Sequence, residues 1–184
     1  MIQLKARIKF SYEDYQNLPE SETKRYELLG GELVMVPAPN WFHQSVSWNL
    51  ETLLGRFVEK AQLGLVRHAP LDVILSQEDV VQPDILFISQ EHLDIIQEQG
   101  IHGAPDLMIE IFSPATAARD RTLKRTLYAR YGVSEYWLVD PDAQTIEVLK
   151  LGPKGYQRAG RYEKDQTLSS PLLAGLEIPL GEVF

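Results

Sequence analysis

Apolar residues recur along this chain at helical spacing in some stretches and at strand spacing in others. The longest helical pattern is WFHQSVSWNLETLLGRFVEKAQ, which follows Asn40 as its N-cap. Two further helices are predicted, over residues 11–18 with Ser11 as N-cap and over residues 118–131 with Gly132 as C-cap. Strands are predicted at residues 65–75, 80–88 and 105–114, and in the later segments EYWLVDP, TIEVLKL and GYQRAGRYEK.

The order of these elements predicts an α/β or α+β fold. The dipeptide Gly30-Gly31 separates two apolar runs, which indicates an N-terminal β-hairpin. Helices and strands then alternate, which favours one central mixed β-sheet flanked by helices. A length of 184 residues fits a single domain that spans residues 1–184.

Composition and charge narrow the function classes. The chain has no cysteine, no apolar run long enough to span a membrane and no signal-peptide pattern at its N-terminus, so we expect a cytoplasmic protein that does not enter a membrane. The formal net charge is −8, which counts against a nucleic-acid partner unless the basic residues cluster. No GxGxxG, P-loop, GxSxG or HExxH pattern is present.

Two carboxylates interrupt apolar strands. Glu110 lies between Ile109 and Ile111, and Asp84 directly precedes a run of four apolar residues. A buried charge is costly unless it is paired, protonated or bound to a metal ion. If the two strands are neighbours, both carboxylates converge on one point, and a divalent cation would relieve their repulsion. The alternative is a structural pair, each member bonded to an arginine or to the backbone.

The helix after Glu110 supplies basic residues: Arg119, Arg121, Lys124, Arg125 and Arg130. Leu123 and Leu127 share one helical stripe, and Lys124 borders it, so that its side chain can turn inward. Asp120 lies four residues before Lys124, within reach of an ion pair. A solvated helix face is the ordinary explanation for such a cluster.

Three blocks of sequence carry a resemblance. They are RYELLGGELVMVPAPNWFHQSV, VVQPDILFIS and APDLMIEIFSPATAARDRTLKRTLYARYGVSEYWLVDP. Together they resemble the Uma-type restriction endonuclease family, part of the PD-(D/E)XK nuclease superfamily, over roughly residues 10–150. The resemblance implies a restriction-endonuclease-like fold.

The resemblance also implies a set of site residues. Asp84 follows a proline as in the superfamily pattern, and Glu110 matches the second acid. The superfamily lysine would stand at position 112, where this chain has Phe112. The Uma-type family takes its lysine from the following helix, and Lys124 matches that position.

The implied activity is Mg²⁺- or Mn²⁺-dependent cleavage of DNA by a homodimer. The backbone carbonyl of Ile111 would be a further metal ligand, and Glu27 and His43 match an acid and a histidine of the family motifs. A lone histidine near a helix start is otherwise more often structural. Phe112 and the net charge favour an alternative, a catalytically inactive nuclease fold that acts as a binding module.

Overall fold

The computed structural model describes residues 8–19, 25–113 and 116–184. Its helices are α1 (Tyr12–Gln16), α2 (Trp41–Ala61), α3 (Ala117–Arg119) and α4 (Arg125–Tyr131), with a π-helical turn at Asp120–Lys124 and 3₁₀ turns at Gln90–Ile95 and Leu180–Glu182. Its strands are β1 (Arg25–Leu29), β2 (Glu32–Val36), β3 (Gly64–His68), β4 (Val73–Ile74), β5 (Val80–Val81), β6 (Ile85–Ser89), β7 (Ile96–Gln97), β8 (Gly100–His102), β9 (Leu107–Ile111), β10 (Glu135–Asp140), β11 (Thr145–Gly152), β12 (Gly155–Glu163), β13 (Thr167–Ser169) and β14 (Glu177–Pro179).

A six-stranded mixed sheet forms the centre of the fold, in the order β12-β11-β10-β9-β6-β3. Strands β9 and β10 are parallel, and the other neighbours are antiparallel. One face packs against α2 and the C-terminal hairpin of β13 and β14. The other face packs against α4 and residues of a second sheet. The predicted class, a mixed sheet flanked by helices, is confirmed.

Several local predictions are also confirmed. Asn40 caps α2, Ser11 caps α1, and α4 ends at Gly132 in a left-handed conformation. Gly30 and Gly31 both have positive φ angles and join β1 to β2, because a tight hairpin turn needs residues that tolerate this conformation.

The two strands predicted at residues 65–75 and 80–88 are wrong as continuous elements. Each is broken near a proline, Pro70 or Pro83, which has no N–H to donate to a ladder. Of the first segment, β3 joins the central sheet and β4 a second sheet; of the other segment, β5 joins the second sheet and β6 the central one. The second sheet has six strands, in the order β2-β1-β5-β4-β8-β7. The sequence pattern did not predict this second sheet.

The break at Pro83 determines where Asp84 lies. Ile85 pairs with Ile109 across β6 and β9, so Asp84 and Glu110 occupy the next positions toward the same end of the sheet. The second sheet brings β1, and with it Glu27, to the same end of the sheet. The structure therefore places three carboxylates from two sheets at one point.

Gly64 begins β3 at a close approach between backbones. Its φ angle is +147°, and a Cβ built there would lie 2.0 Å from the carbonyl oxygen of Ile88. We expect Gly64→Ala to lower the free energy of unfolding by about 1–3 kcal/mol, since the two strands must separate to admit a methyl group. Gly55→Ala is the matched control: Gly55 lies inside α2, and no atom of the described residues is within 4 Å of its Cβ position, so that change should stabilise the protein by about 0.5–1 kcal/mol. Urea denaturation measures both, and equal effects would contradict the close approach.

Candidate active site

One cavity of about 80 Å³ brings together all six residues that the resemblance implied for the site. Its walls include Glu27, His43, Asp84, Glu110 and Lys124, and the backbone of Ile111 also lines it. These residues come from β1, α2, the start of β6, the end of β9 and the π-helical turn. The cavity therefore lies at the end of the central sheet where the second sheet and the two flanking helical segments meet.

Lys124 lies at the centre of this arrangement and is only 3% exposed. Its Nζ donates to Glu27 Oε1 at 2.8 Å and to Glu110 Oε1 at 2.9 Å, and it lies 3.8 Å from Asp120 Oδ1. The predicted inward turn of Lys124 and its pairing with Asp120 are thus present in the structure.

The π-helical turn changes which residues of this segment face inward. Leu123 is 49% exposed whereas Leu127 is buried, so the prediction that both share one apolar stripe is wrong. A π turn contains more residues than an α turn, which rotates the residues before it relative to α4. The rotation leaves Lys124 directed at the carboxylates and Leu123 at solvent.

The charges around Lys124 determine its protonation. Burial lowers the pKa of Lys124, but Glu110, Glu27 and Asp120 raise it by more, so its pKa lies above the ordinary lysine value. Lys124 therefore stays an ammonium at neutral pH.

Glu110 shows the opposite balance. Burial raises its pKa well above the ordinary glutamate value, the nearby acids raise it further, and the ammonium of Lys124 lowers it by less. Four acidic side chains line or border the cavity: Glu27, Asp84, Glu110 and Asp120. A further cation beside Glu110 would favour its ionised form.

Asp84 is held against β9. Its Oδ2 accepts a hydrogen bond from the Ile111 N–H at 2.7 Å and lies 3.2 Å from Nε2 of His43. Burial lowers the pKa of His43, but the hydrogen bond and charge of Asp84 and the backbone of Ile111 raise it by more, so the net shift is upward. The contacts with Ile111 and His43 together hold the Asp84 carboxylate at the cavity wall.

Glu27 connects the second sheet to the cavity. It is almost fully buried, and its Oε1 accepts from the Gln82 N–H at 2.9 Å as well as from Lys124. Its Oε2 lies 4.0 Å from the guanidinium of Arg119. Glu27 thus shares Lys124 with Glu110.

Sequence analysis missed Tyr128 and Arg25, and it named Arg119 only as part of a basic cluster. The Tyr128 hydroxyl donates to Glu110 Oε1 at 2.6 Å, and Arg25 and Arg119 line the cavity. Tyr128 follows Lys124 by four residues, so its position on the same helical face could have indicated it. Arg25 had no such pattern, because its position depends on the pairing of β1 in the second sheet.

The cavity contains carboxylate oxygens that no hydrogen-bond donor in the described part of the chain satisfies. Two buried carboxylate oxygens, Glu27 Oε2 and Asp120 Oδ1, have no hydrogen-bond partner among the described residues. Within residues 8–19, 25–113 and 116–184, no group of three or more His, Cys, Asp or Glu side chains is arranged to hold a metal by itself. A metal ion here would therefore need other oxygens as well, from a backbone carbonyl, water or a substrate phosphate, which is the usual coordination of Mg²⁺.

The fold and the cavity together define a restriction-endonuclease-like protein, and sequence comparison agrees. Residues 12–181 match the family Uma2, described as "Putative restriction endonuclease". The chain belongs to this family, as the sequence blocks predicted.

The proteins similar to the chain include a solved structure and a curated relative. A crystal structure of "a putative nuclease belonging to DUF820" from Anabaena variabilis ATCC 29413 superposes with a TM-score of 0.78 at 21% identity, and the match covers 95% of this chain and 97% of that one. The "Uncharacterized protein sll1609" of Synechocystis sp. (strain ATCC 27184 / PCC 6803 / Kazusa) is 24% identical over 135 residues, which is 73% of this chain and 76% of that protein. The structural likeness shows a shared fold.

The helices in the described ranges include none that is both long and apolar enough to cross a membrane.

Proposed function

We propose that this protein is a metal-dependent nuclease that hydrolyses phosphodiester bonds in DNA. The observation that carries the proposal is the position of Lys124. Although Phe112 stands where a strand lysine would be, Lys124 reaches Glu110 from the following helix, in the cavity that Asp84 borders. The two acids and one lysine that such chemistry requires are thus present together.

Asp84, Glu110 and the Ile111 carbonyl are the groups that would hold Mg²⁺ or Mn²⁺. When bound, the ion would supply a Lewis acid and lower the pKa of a coordinated water. Tyr128 and Lys124 both bond to Oε1 of Glu110, and no hydrogen bond from the described residues reaches its Oε2, which is therefore available to a cation.

The basic side chains of the cavity have distinct roles in this proposal. Lys124 is held as an ammonium and would donate a hydrogen bond to the attacking water or to a phosphate oxygen as negative charge develops. Arg119 and Arg25 line the same cavity and would bind the phosphate as it enters. The local acids belong to the cation site, so the net charge of −8 does not exclude a DNA substrate.

A plasmid-nicking assay tests the proposal. Wild-type protein with Mg²⁺ should convert supercoiled plasmid to nicked and linear forms, and chelation of the metal should stop the reaction. Asp84→Asn should slow nicking by at least about a hundredfold, because it removes a metal-holding charge. Asp165→Asn is the control, since Asp165 is an exposed acid in the turn between β12 and β13. Equal cleavage by the Asp84→Asn variant and wild type would contradict the assignment.

Phe112, which stands at the position of the superfamily lysine, favours a second function, that of a nuclease fold that binds nucleic acid without cleaving it. In that case wild type and Asp84→Asn would both bind DNA and neither would nick it. Calorimetric titration with Mg²⁺ separates the two functions further, because a pure binding module would show no heat that depends on Asp84.

We also expect a homodimer, since one site cuts one strand and a double-strand break needs two. Sedimentation velocity of the wild-type protein measures this directly.

A further inference from the structure

A groove adjoins the candidate active site, and its walls include Arg25, Gln44, Ser47, Trp48 and His68. We propose that it binds one unpaired nucleotide next to the scissile phosphate, with the base stacked on Trp48 and a phosphate bound by Arg25. This inference rests on the proposed nuclease function and specifies its substrate, a single-stranded or locally unpaired nucleic acid.

The groove is continuous with the active-site cavity. Its volume is about 330 Å³, at the small end of the roughly 300–1,000 Å³ typical of ligand sites. The two spaces share four residues, Arg25, Pro39, His43 and Asp84. A nucleic-acid strand with one phosphate in the cavity at Asp84 would therefore continue into this groove.

Trp48 forms the aromatic wall of the groove. It lies on α2, where His43, Ser47 and Glu51 follow one another at spacings of four residues on the adjacent groove-lining face. Its side chain is 69% exposed, which is unusual for tryptophan, and among the described residues it makes no contact with another aromatic ring. An exposed indole beside a phosphate-cleaving site is the kind of surface on which single-stranded bases stack.

Arg25 supplies the charge. It lines both the groove and the cavity, and no described carboxylate lies within ion-pair distance of its guanidinium. By contrast, Arg119, Arg121 and Arg130 each lie within 4.0 Å of an acid. An arginine that has no acidic partner within residues 8–19, 25–113 and 116–184, and that lies at the junction of two cavities, is suited to a phosphate group, which it can bind through two parallel hydrogen bonds.

The composition of the groove favours a nucleotide over a second copy of the chain. Around Trp48 its walls are mostly polar, with Gln44, Ser47, Glu51 and His68, and Glu51 and His68 are already bonded to each other. The centre of a dimer interface is more apolar and depleted in charge. Unpaired substrate is favoured because a base inside a duplex is already stacked on both faces.

The test measures binding without cleavage. A fluorescein-labelled oligothymidylate of about 12 nucleotides is titrated with protein in the presence of a chelator, and anisotropy gives the dissociation constant. Trp48→Leu should weaken binding about 5–50-fold, whereas Trp48→Phe, which keeps an aromatic face, should stay within about threefold of wild type. Arg25→Gln should weaken binding and lower the slope of log affinity against log salt concentration by about one, the loss of one phosphate contact.

Trp41→Leu is the matched control. Trp41 is on the same helix and 78% exposed, but it does not line the groove, so this variant should bind within about twofold of wild type. The inference is overturned if Trp48→Leu binds like wild type, or if Trp48→Leu and Trp41→Leu weaken binding equally. It is also overturned if duplex DNA competes as well as the single strand, or if Trp48→Leu changes only the oligomeric state in sedimentation velocity.

The nuclease proposal and this inference can fail separately. If binding depends on Trp48 and neither supercoiled plasmid nor the single-stranded oligonucleotide is cleaved with Mg²⁺, the nuclease function is wrong and the nucleotide site stands. If plasmid is nicked in a manner that depends on Asp84 while Trp48→Leu binds and cleaves normally, the reverse holds.

Discussion

Replacing Lys124 with methionine is expected to lower the free energy of unfolding by about 3–5 kcal/mol, because removal of one member of a buried ion pair leaves uncompensated charge. Lys124 is within hydrogen-bond distance of Glu27 and Glu110 and close to Asp120. Methionine has a similar volume but leaves these acids without their ammonium. The variant can recover part of the loss by protonating Glu110, whose pKa burial already raises.

Urea denaturation of the wild type and of Lys124→Met measures this effect as a shift of the midpoint at unchanged slope. The loss should shrink as the pH falls. Because the pKa of Glu110 is raised in the folded state, its contribution to stability is fully present below its unfolded pKa and is lost as the pH rises through its folded pKa. At low pH the protonated Glu110 carries no charge, so it no longer requires a positive partner. A variant as stable as wild type at neutral pH would mean that Lys124 does not neutralise this cluster.

Glu110→Gln should behave differently, which makes it the informative comparison. This change removes one of the acids and leaves Lys124 paired with Glu27 and near Asp120. Glutamine can still accept the hydrogen bond of Tyr128. We expect a change in unfolding free energy of no more than about 1.5 kcal/mol.

The convergence of Asp84 and Glu110 was predictable from the sequence for a simple reason. Side chains alternate between the two faces of a strand, and a carboxylate among apolar residues requires a partner. The structure places Asp84 directly before β6 and Glu110 on β9, each one residue beyond the Ile85–Ile109 pair, with Asp84 bonded to the backbone of Ile111. The pattern could not show that Pro83 would break the preceding strand, and that break sets where Asp84 emerges.

The helical half of the site was less predictable. Lys124 was expected to turn inward from the edge of an α-helical stripe, but a π-helical turn places it there and exposes Leu123. Periodicity assumes one uniform spacing, so it cannot detect a local change in residues per turn. Arg25 joins the site through the second sheet, whose long-range pairings leave no trace in local spacing.

Glu110→Gln is expected to reduce plasmid nicking by at least about a hundredfold while the protein stays folded, because glutamine keeps the shape of the side chain and removes the charge that would hold a metal ion. The matched control is Glu135→Gln. Glu135 is also a buried glutamate in the central sheet, on neighbouring β10, but it bonds to Ser170, Trp137 and the Leu172 N–H outside the cavity.

The two variants should therefore separate stability from catalysis. In Glu135→Gln the new N–H₂ group would face a hydrogen-bond donor instead of accepting from it, so this variant should lose about 1–3 kcal/mol of stability. Below its unfolding transition it should nick plasmid at the wild-type rate. Glu110→Gln should show the reverse, near-normal stability and no nicking. If both variants lost activity in proportion to their stability, Glu110 would be a structural carboxylate like Glu135, and the cation site proposed at the end of β9 would be wrong.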